Sequence, residues 1–568
     1  MKTKYIVPLL LFCLFACIAC EDETTEMPRL FRPSFIASSC FAESNTITLA
    51  WRTSGEATSY TVELSQDATF QPENLETQTV EKGKCTFANL RYETKFYARV
   101  RANNESLAIT SNWTEMGSSI STLSRTIPKI LYAVEGSQIN ETSVEIKWVV
   151  SEKNPVDGLA IWEEGTTEEK QISLEDASAG QYTITGLTPR TTYYVALTNS
   201  AAPEGAEKYN QQRFTTAGMP ADAVVVEDGD KIKAGMDDTS KQALVFQLKN
   251  GVDYYLTTGG EVAAKTGDIK LTKSIAFLAN PGERPTLYIR EGGFIVKPEV
   301  GNMPNIEYFI VDNVNIKETW TESKPSKGSK TRLLNIGKHN TGTDFTIDRF
   351  EITNSDIVLP STVLMMSDAS EGVTTINHIR IDNCLVSGIN DTKNVTKQFG
   401  FIHAINKGSN VWNDVSVTNS TFYEFYISPG VFGAPTADVP IAAGNKVVIS
   451  NCTFYNWGSN KDGKNTYRAV GNFSKLTAPL NLSVSNCVFG SSKSKVLDAG
   501  SINLNSKSNY CTSDFEKISD AGLTLISLDT DDASLFRNVE ENDFTVVDAE
   551  SVIYKSEYGD PRWIKVLD

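Results

Sequence analysis

From residue 28 to about 122 the chain alternates apolar and polar residues in short runs broken by turn residues, a period that predicts β-strands. Ile47, Leu49 and Trp51 share one face of such a run, as do Cys85, Phe87 and Leu90, with Phe96 and Val100 following a turn. The plan repeats over residues 127–216, with Val144, Ile146 and Trp148, then Tyr182, Ile184 and Leu187, then Tyr193 and Val195. Two small β-sandwiches are therefore expected, over residues 28–123 and 127–217.

Beyond Ala217 the texture changes to short β-branched runs rich in Asn, Gly, Ser and Asp. Six segments repeat there, at 310–316, 346–352, 380–386, 416–422, 448–454 and 483–489, spaced by 32 to 36 residues. That period suits one coil of a solenoid with loops. In each segment inward residues flank an outward one and a bend follows; five of the six bends carry Asn, which tolerates the left-handed conformation. Stacked coils then place equivalent residues over one another about 4.8 Å apart, so the Asn amides can bond in a ladder. Arg349 takes the bend position in the second segment and is expected to interrupt that ladder. Cys384, Cys452 and Cys487 fall at one inward position, with Val314, Phe350 and Ser420 in the other coils, and read as buried packing residues. Phe422, Phe454 and Phe489 are expected to stack in the core. Residues 223–295 lack the Asn mark and stay without a register.

These motifs carry two resemblances. Leu187-Thr188-Pro189-Arg190-Thr191-Thr192-Tyr193 is similar to the turn of fibronectin type III domains into their tyrosine corner, where a Tyr hydroxyl bonds back to the chain. The first copy reads Leu90-Arg91-Tyr92-Glu93-Thr94-Lys95-Phe96, so its corner is expected to be held by packing alone. Such modules commonly serve as spacers. The Asn-marked repeat resembles the right-handed parallel β-helix of the pectate-lyase type, over residues 222–568 with a C-terminal cap. The fold class expected is all-β: two N-terminal fibronectin type III-like sandwiches followed by that helix.

Composition and the chain's beginning change the setting. Lys2 and Lys4 precede an apolar run over 5–19, which is signal-peptide-like and short for a bilayer span. Its end, Ala16-Cys17-Ile18-Ala19-Cys20, resembles a bacterial lipobox, which implies lipidation at Cys20 after removal of residues 1–19. Residues 20–27 form a linker in which Glu21-Asp22-Glu23 resembles the acidic tag that sends lipoproteins to the extracellular side of the outer membrane. The lipobox, the sandwiches, the helix and the terminal Gly559-Asp560-Pro561-Arg562-Trp563 together resemble a family of unknown function among glycan-utilisation lipoproteins. The resemblance implies other glycan-uptake surface proteins as partners. A formal charge of −17 argues against nucleic acid as a partner. Six of the nine cysteines lie beyond the export signal, too few for a disulfide framework. Whether Cys40 and Cys85 are bridged is left open.

In the resembled fold the first sheet of each coil lines a substrate groove, which selects residues 331–336, 362–366, 400–405 and 467–470. Taking Leu333, Val363, Ile402 and Ala469 as inward, alternation turns Arg332, Leu334, Leu364, His403 and Arg468 outward, with Lys338 and Lys407 in the adjoining turns. Cations there suit a uronate: a lyase must neutralise its carboxylate, remove the neighbouring proton and expel the glycosidic oxygen. Arg332, His403, Arg468 and Lys407 are the catalytic candidates. Trp320, Lys338, Trp412, Tyr423, Tyr455, Trp457 and Tyr467 are the carbohydrate-binding candidates, the rings by stacking on pyranose faces. Neither several acidic calcium ligands nor paired Asp residues fall on these strands, so no metal or other cofactor is expected. The expected function is engagement of an acidic, pectic polysaccharide along the helix; metal-independent lyase action and a structural or adhesive role are the alternatives.

Overall fold

The computed structural model describes residues 29–256, 269–289, 293–299, 301, 303–318, 332–340, 344–359, 363–388, 400–405, 410–424, 430–433, 446–457, 468–474, 480–517 and 523–567. They form two compact units, one built on the first sandwich and one that joins the second sandwich to everything after it.

In the first unit, Thr46–Arg52 and Lys84–Phe87 pair in one antiparallel sheet and Ser59–Ser65, Leu75–Val80 and Lys95–Asn104 in another. Ile47, Leu49, Trp51, Cys85, Phe87, Leu90, Phe96 and Val100 are all buried in one core, because period-two alternation sends them to the same side. Cys40 and Cys85 are free thiols. Burial and the neighbouring Cys40 push the Cys85 thiol up to about 12.

The second sandwich repeats the plan, with Val144, Ile146, Trp148, Ile184, Tyr193 and Val195 buried and Tyr182 and Leu187 half-buried against them. Its tyrosine corner is present, the Thr188 N–H donating to the Tyr193 hydroxyl at 3.0 Å. The Tyr193 hydroxyl donates in turn to Glu163 at 3.1 Å. Packing alone does not hold the corner in the first copy. There Thr122 donates to the Arg91 carbonyl (2.7 Å) and accepts from the Thr94 N–H (3.0 Å). Thr216 makes the same clasp in the second copy, to the Thr188 carbonyl (2.7 Å) and from the Thr191 N–H (2.9 Å). Phe96 therefore forfeits a hydroxyl at a turn that a threonine already ties.

The rest of the second unit is a right-handed parallel β-helix. A first sheet runs from Val224–Val226 to Ile502–Lys507, a second from Asp253–Tyr255 to Ile526–Ser527, and a third from Ile269–Lys270 to Glu516–Lys517. Each coil visits them in that order. Helix Gly229–Asp237, capped by the Asp228 side chain on the Lys231 N–H, brings Ile232 into the core of the first coil. Residues 223–256, 269–289 and 293–295, without a register in the sequence, thus belong to regular coils.

Between the first and second sheets the chain turns at Asn313, Asn354, Asn383, Asn419, Asn451 and Asn486, all with φ between 49° and 58°. Arg349 does not stand at a bend: it pairs with His378 within the first sheet, and Asn354 supplies the bend of that coil. The even spacing expected from sequence displaced that segment, because the bend-to-bend length is greatest from Asn313 to Asn354 and least from Asn354 to Asn383. The inward position after the bend therefore holds Val314, Ser355, Cys384, Ser420, Cys452 and Cys487, with Ser355 in place of Phe350. Asn383 donates to Asn354 (2.8 Å), Asn451 to Asn419 (3.3 Å) and Asn486 to Asn451 (3.1 Å). Two aspartates interrupt the ladder, Asp312 taking the Asn354 amide and Asp382 the Asn419 amide, both at 2.8 Å. Below the bends Phe422, Phe454 and Phe489 stack with centroids 5.1 Å apart. Burial pushes the Cys384 thiol up to about 12, as befits a packing residue.

The second sandwich is not a free spacer. Its Arg213 bonds Asp382 of the first sheet at 2.9 Å and its own Glu164 at 2.8 Å. Arg380 closes the circuit to Glu164 (3.1 Å) and Asp382 (3.0 Å), and Arg190 bonds Asp312 at 3.0 Å. Lys129 pairs with Glu557 of the C-terminal cap. That cap has its own small core of Leu535, Phe536, Phe544, Val546, Ile553, Tyr554 and Ile564. Asp560 and Trp563 of the terminal motif latch it down: Thr421 donates to Asp560 at 2.8 Å, and the Trp563 indole donates to Thr421 at 2.7 Å.

Candidate functional site

The third sheet is the flank expected to form the groove. Arg332–Asn340, Val363–Glu371, Ile402–Ile405 and Arg468–Asn472 all belong to it, together with Phe432–Gly433 and Lys493–Asp498, which the sequence reading did not select. Alternation places Leu334 and Ile336 in the core and turns Asn335 outward. The register then continues that outward row through Met366, His403, Gly433, Asn472 and Asp498.

Two expected outward residues are corrected here. Leu334 and Leu364 are fully buried in the core, as is Leu333. The chain curves as it enters this sheet, so two successive side chains point inward and strict alternation begins one residue later. Arg332, His403 and Arg468 are half-buried on the sheet but do not converge. Arg332 lies four strands from Arg468, about 19 Å at one strand spacing of about 4.8 Å per coil. His403 lies two strands from each and is in register with Asn472, not with Arg468.

Each of the latter two has a local task. The His403 Nδ1 accepts the Gly400 N–H at 3.0 Å, and a Cβ on Gly433 would run into that ring, so glycine is required there. Arg468 Nε bonds Asp498 at 2.6 Å and Lys495 bonds the other oxygen at 2.9 Å. Burial works to raise the Asp498 carboxyl, but Lys495 and Arg468 outweigh it and hold it below the usual carboxylate range. Asp498 is thus an anchored anion and a poor proton donor.

One polar atom lacks its complement. Asn335 Oδ1 is buried with no hydrogen-bond partner among the described residues. A ligand hydroxyl could satisfy that acceptor, because a buried carbonyl without a donor is costly.

Charge sets this sheet apart. Its strands carry seven Lys and Arg against four Asp and Glu, whereas those of the first sheet carry five against six and those of the second one against three. The bends between the other two sheets are tight.

The aromatic candidates among the described residues, Trp412, Tyr423, Tyr455 and Trp457, lie elsewhere than on the outer face of this sheet. Trp457 is fully buried and its indole donates to the Lys495 carbonyl at 3.2 Å, so it is a core residue. Tyr423 and Tyr455 lie on the second sheet against Phe544 of the cap, at 5.6 and 5.1 Å, and Trp412 lies on the first sheet, half-buried against Phe432 at 6.3 Å. Trp320, Lys407, Tyr467 and Cys20 fall outside the described residues, as does the side chain of Lys338. Asn335, Asn472, Lys495 and Asp498 were missed by sequence; their signal is register across coils, which no single strand displays. No group of His, Cys, Asp or Glu among the described residues is arranged to hold a metal ion.

This geometry defines an all-β protein of two fibronectin type III-type sandwiches and a right-handed parallel β-helix. Residues 447–563, the last coils and cap, match a family model described as a domain of unknown function, DUF5123. No curated protein matches the chain. Among solved structures it is similar to the FN1–FN3 domains of chicken CNTN1, at 14% identity over 34% of this chain and 69% of that one, with a TM-score of 0.15. It is also similar to a two-domain fibronectin type III segment of chicken tenascin, at 16% identity over 33% of this chain and 100% of that one, with a TM-score of 0.20.

Proposed function

We propose that this protein is a lipid-anchored surface protein of the outer membrane that holds an acidic, pectic polysaccharide along the third sheet of its β-helix, in the service of glycan utilisation. The observation that carries the reading is the excess of cations on that sheet in a chain of formal charge −17. A repeating anionic polymer running across the coils meets Arg332 and, four strands further on, Arg468 and then Lys495 on the next strand. Binding is favoured over lyase action because His403 stands two strands, about 10 Å, from Arg332 and from Arg468, and the carboxylate beside Arg468, Asp498, is held below the usual range and is a weak base.

The test is retardation of the mature chain in native gels cast with polygalacturonate, run beside an absorbance assay for unsaturated chain ends. Retardation that weakens with salt and with R332A or R468A, without rising absorbance, is the expected result. Rising absorbance would establish the lyase; no retardation across a panel of uronate polymers would leave the structural role. For the anchor, C20A is expected to shift the protein from the membrane fraction to the soluble one.

A further inference from the structure

Where the second sandwich meets the Asn bends, the two enclose a cleft of ≈ 190 Å³. It lies on the edge between the first and second sheets, away from the third sheet, and none of the groups proposed above takes part in it. From its composition we infer that this cleft is a binding site for a single carboxylate-bearing sugar of the uronic acid class.

The cleft has two unlike walls. Phe214 and Pro281 give an apolar side, and Arg190, Arg284, Asp312 and Asn313 a polar one. At one end Gly136 of the sandwich and Gly282 of the helix approach backbone to backbone, and a Cβ on Gly136 would collide there. A sugar ring has the matching character, an apolar face and a rim of oxygens.

Hydrogen-bond accounting selects an anion. Three guanidiniums, Arg190, Arg213 and Arg284, line the cleft with the carboxylate of Asp312; Arg213 is spent on Glu164 and Asp382, which leaves Arg190 and Arg284 to meet a ligand. Asp312 is occupied, with Arg190 on Oδ2 and Thr353 and Asn354 on Oδ1. Arg190 commits one terminal nitrogen to Asp312, and Arg284 commits Nε to Asn313 (3.3 Å) and Nη1 to Asp356 (2.8 Å). A guanidinium has five N–H donors in a planar fork, so both retain donors beyond these bonds. Their side chains are 27% and 28% exposed, open to a ligand yet screened from bulk water on one side. The volume equals roughly six waters at about 30 Å³ each, room for one sugar ring and not for a polymer.

Titration calorimetry of the full mature chain with galacturonate, trigalacturonate and glucose tests this. Saturable one-to-one binding of galacturonate is expected, with glucose at least about tenfold weaker because it lacks the charge-assisted bonds. R284Q leaves the Arg190–Asp312 and Arg213–Asp382 pairs in place, and V134W fills the cleft without altering its charge. Each is expected to lower galacturonate affinity about tenfold or more with an unchanged melting temperature. Tighter binding of the trimer that R284Q also abolishes identifies a polymer end as the occupant; equal or weaker binding identifies the free sugar. R468A is expected to leave this binding intact, which separates it from the third sheet. No saturable heat with galacturonate, equal affinity for glucose, or indifference to both R284Q and V134W overturns the inference.

Discussion

The two sandwiches share a plan and differ in what their surface charges face. In the first, Arg99 bonds Glu63 and lies over Phe70 and Trp113 at 4.3 and 4.5 Å, while Arg101 covers the other part of Trp113 at 4.6 Å. These two cations are spent on residues of their own sandwich. In the second, Arg213 on strand Lys208–Thr215 and Glu164, in the turn that follows Gly158–Glu163, bond each other and are completed by Arg380 and Asp382 of the β-helix. One fold thus yields a self-contained module and an integral strut, and the deciding feature is a two-by-two charge network, not the sandwich core.

Removing one member of that network breaks the comparison most severely. The Asp382 side chain is 2% exposed and accepts from Arg213, Arg380, Thr418 and Asn419. D382A is expected to cost about 3–5 kcal/mol, since it leaves buried guanidiniums without their anion. Chemical denaturation should then resolve the second sandwich as a separate transition, where the parent protein unfolds it with the helix. A single unsplit transition at the parent midpoint would show that the network does not join them.

The threonine clasps give the next effect. T122V removes both side-chain bonds of the first corner and is expected to cost about 2 kcal/mol, from two lost hydrogen bonds in a buried site. T216V is expected to cost about 1 kcal/mol less, because Tyr193 still holds Thr188 in the second copy. Measured in each sandwich by hydrogen exchange, equal losses would mean that the tyrosine adds nothing.

The smallest effects come from pH. Burial works to raise Asp382 and Glu164, but Arg213 and Arg380 overcome it and hold both below the usual carboxylate range. A depressed carboxyl stabilises above its unfolded value and loses that contribution as pH falls through its folded value. Docking of the second sandwich is therefore expected to loosen below about pH 4. Asp532 in the cap goes the other way: burial and the neighbouring Asp514 raise it to about 6. Its contribution is complete below about pH 4 and lost as pH rises through about 6, so the cap should melt earlier at neutral pH, a slope that D532N flattens.

Local regularities were legible in the sequence. The sandwich cores emerged because Ile47, Leu49 and Trp51, or Val144, Ile146 and Trp148, obey the period of two that a strand imposes. The coil bends emerged because Asn is among the few residues that accept φ near 55° without strain, and four of the third-sheet strands followed by counting back from them. Errors arose where equal spacing was assumed, which set Arg349 at the bend of Asn354, and where alternation was carried across a corner, which turned Leu334 and Leu364 outward. Two of the aromatic candidates are placed by a different cause. Tyr423 and Tyr455 do point out of the helix, but residue 544 returns from far along the chain to cover them.

Alone, the sequence determined which residues are strands, which face of each is apolar and where the coils bend, since these follow from periodicity and backbone sterics within a few residues. The tertiary structure decided which outward residues stay open. It covered the second sheet with the cap and bound the second sandwich across Asp312 and Asp382, and it drew Arg468 and Lys495 onto one aspartate. The docking of the sandwich depends on charges brought together from more than a hundred residues apart, and the pairing of Arg468 with Asp498 on the stacking of one coil on the next, neither of which a local pattern reports.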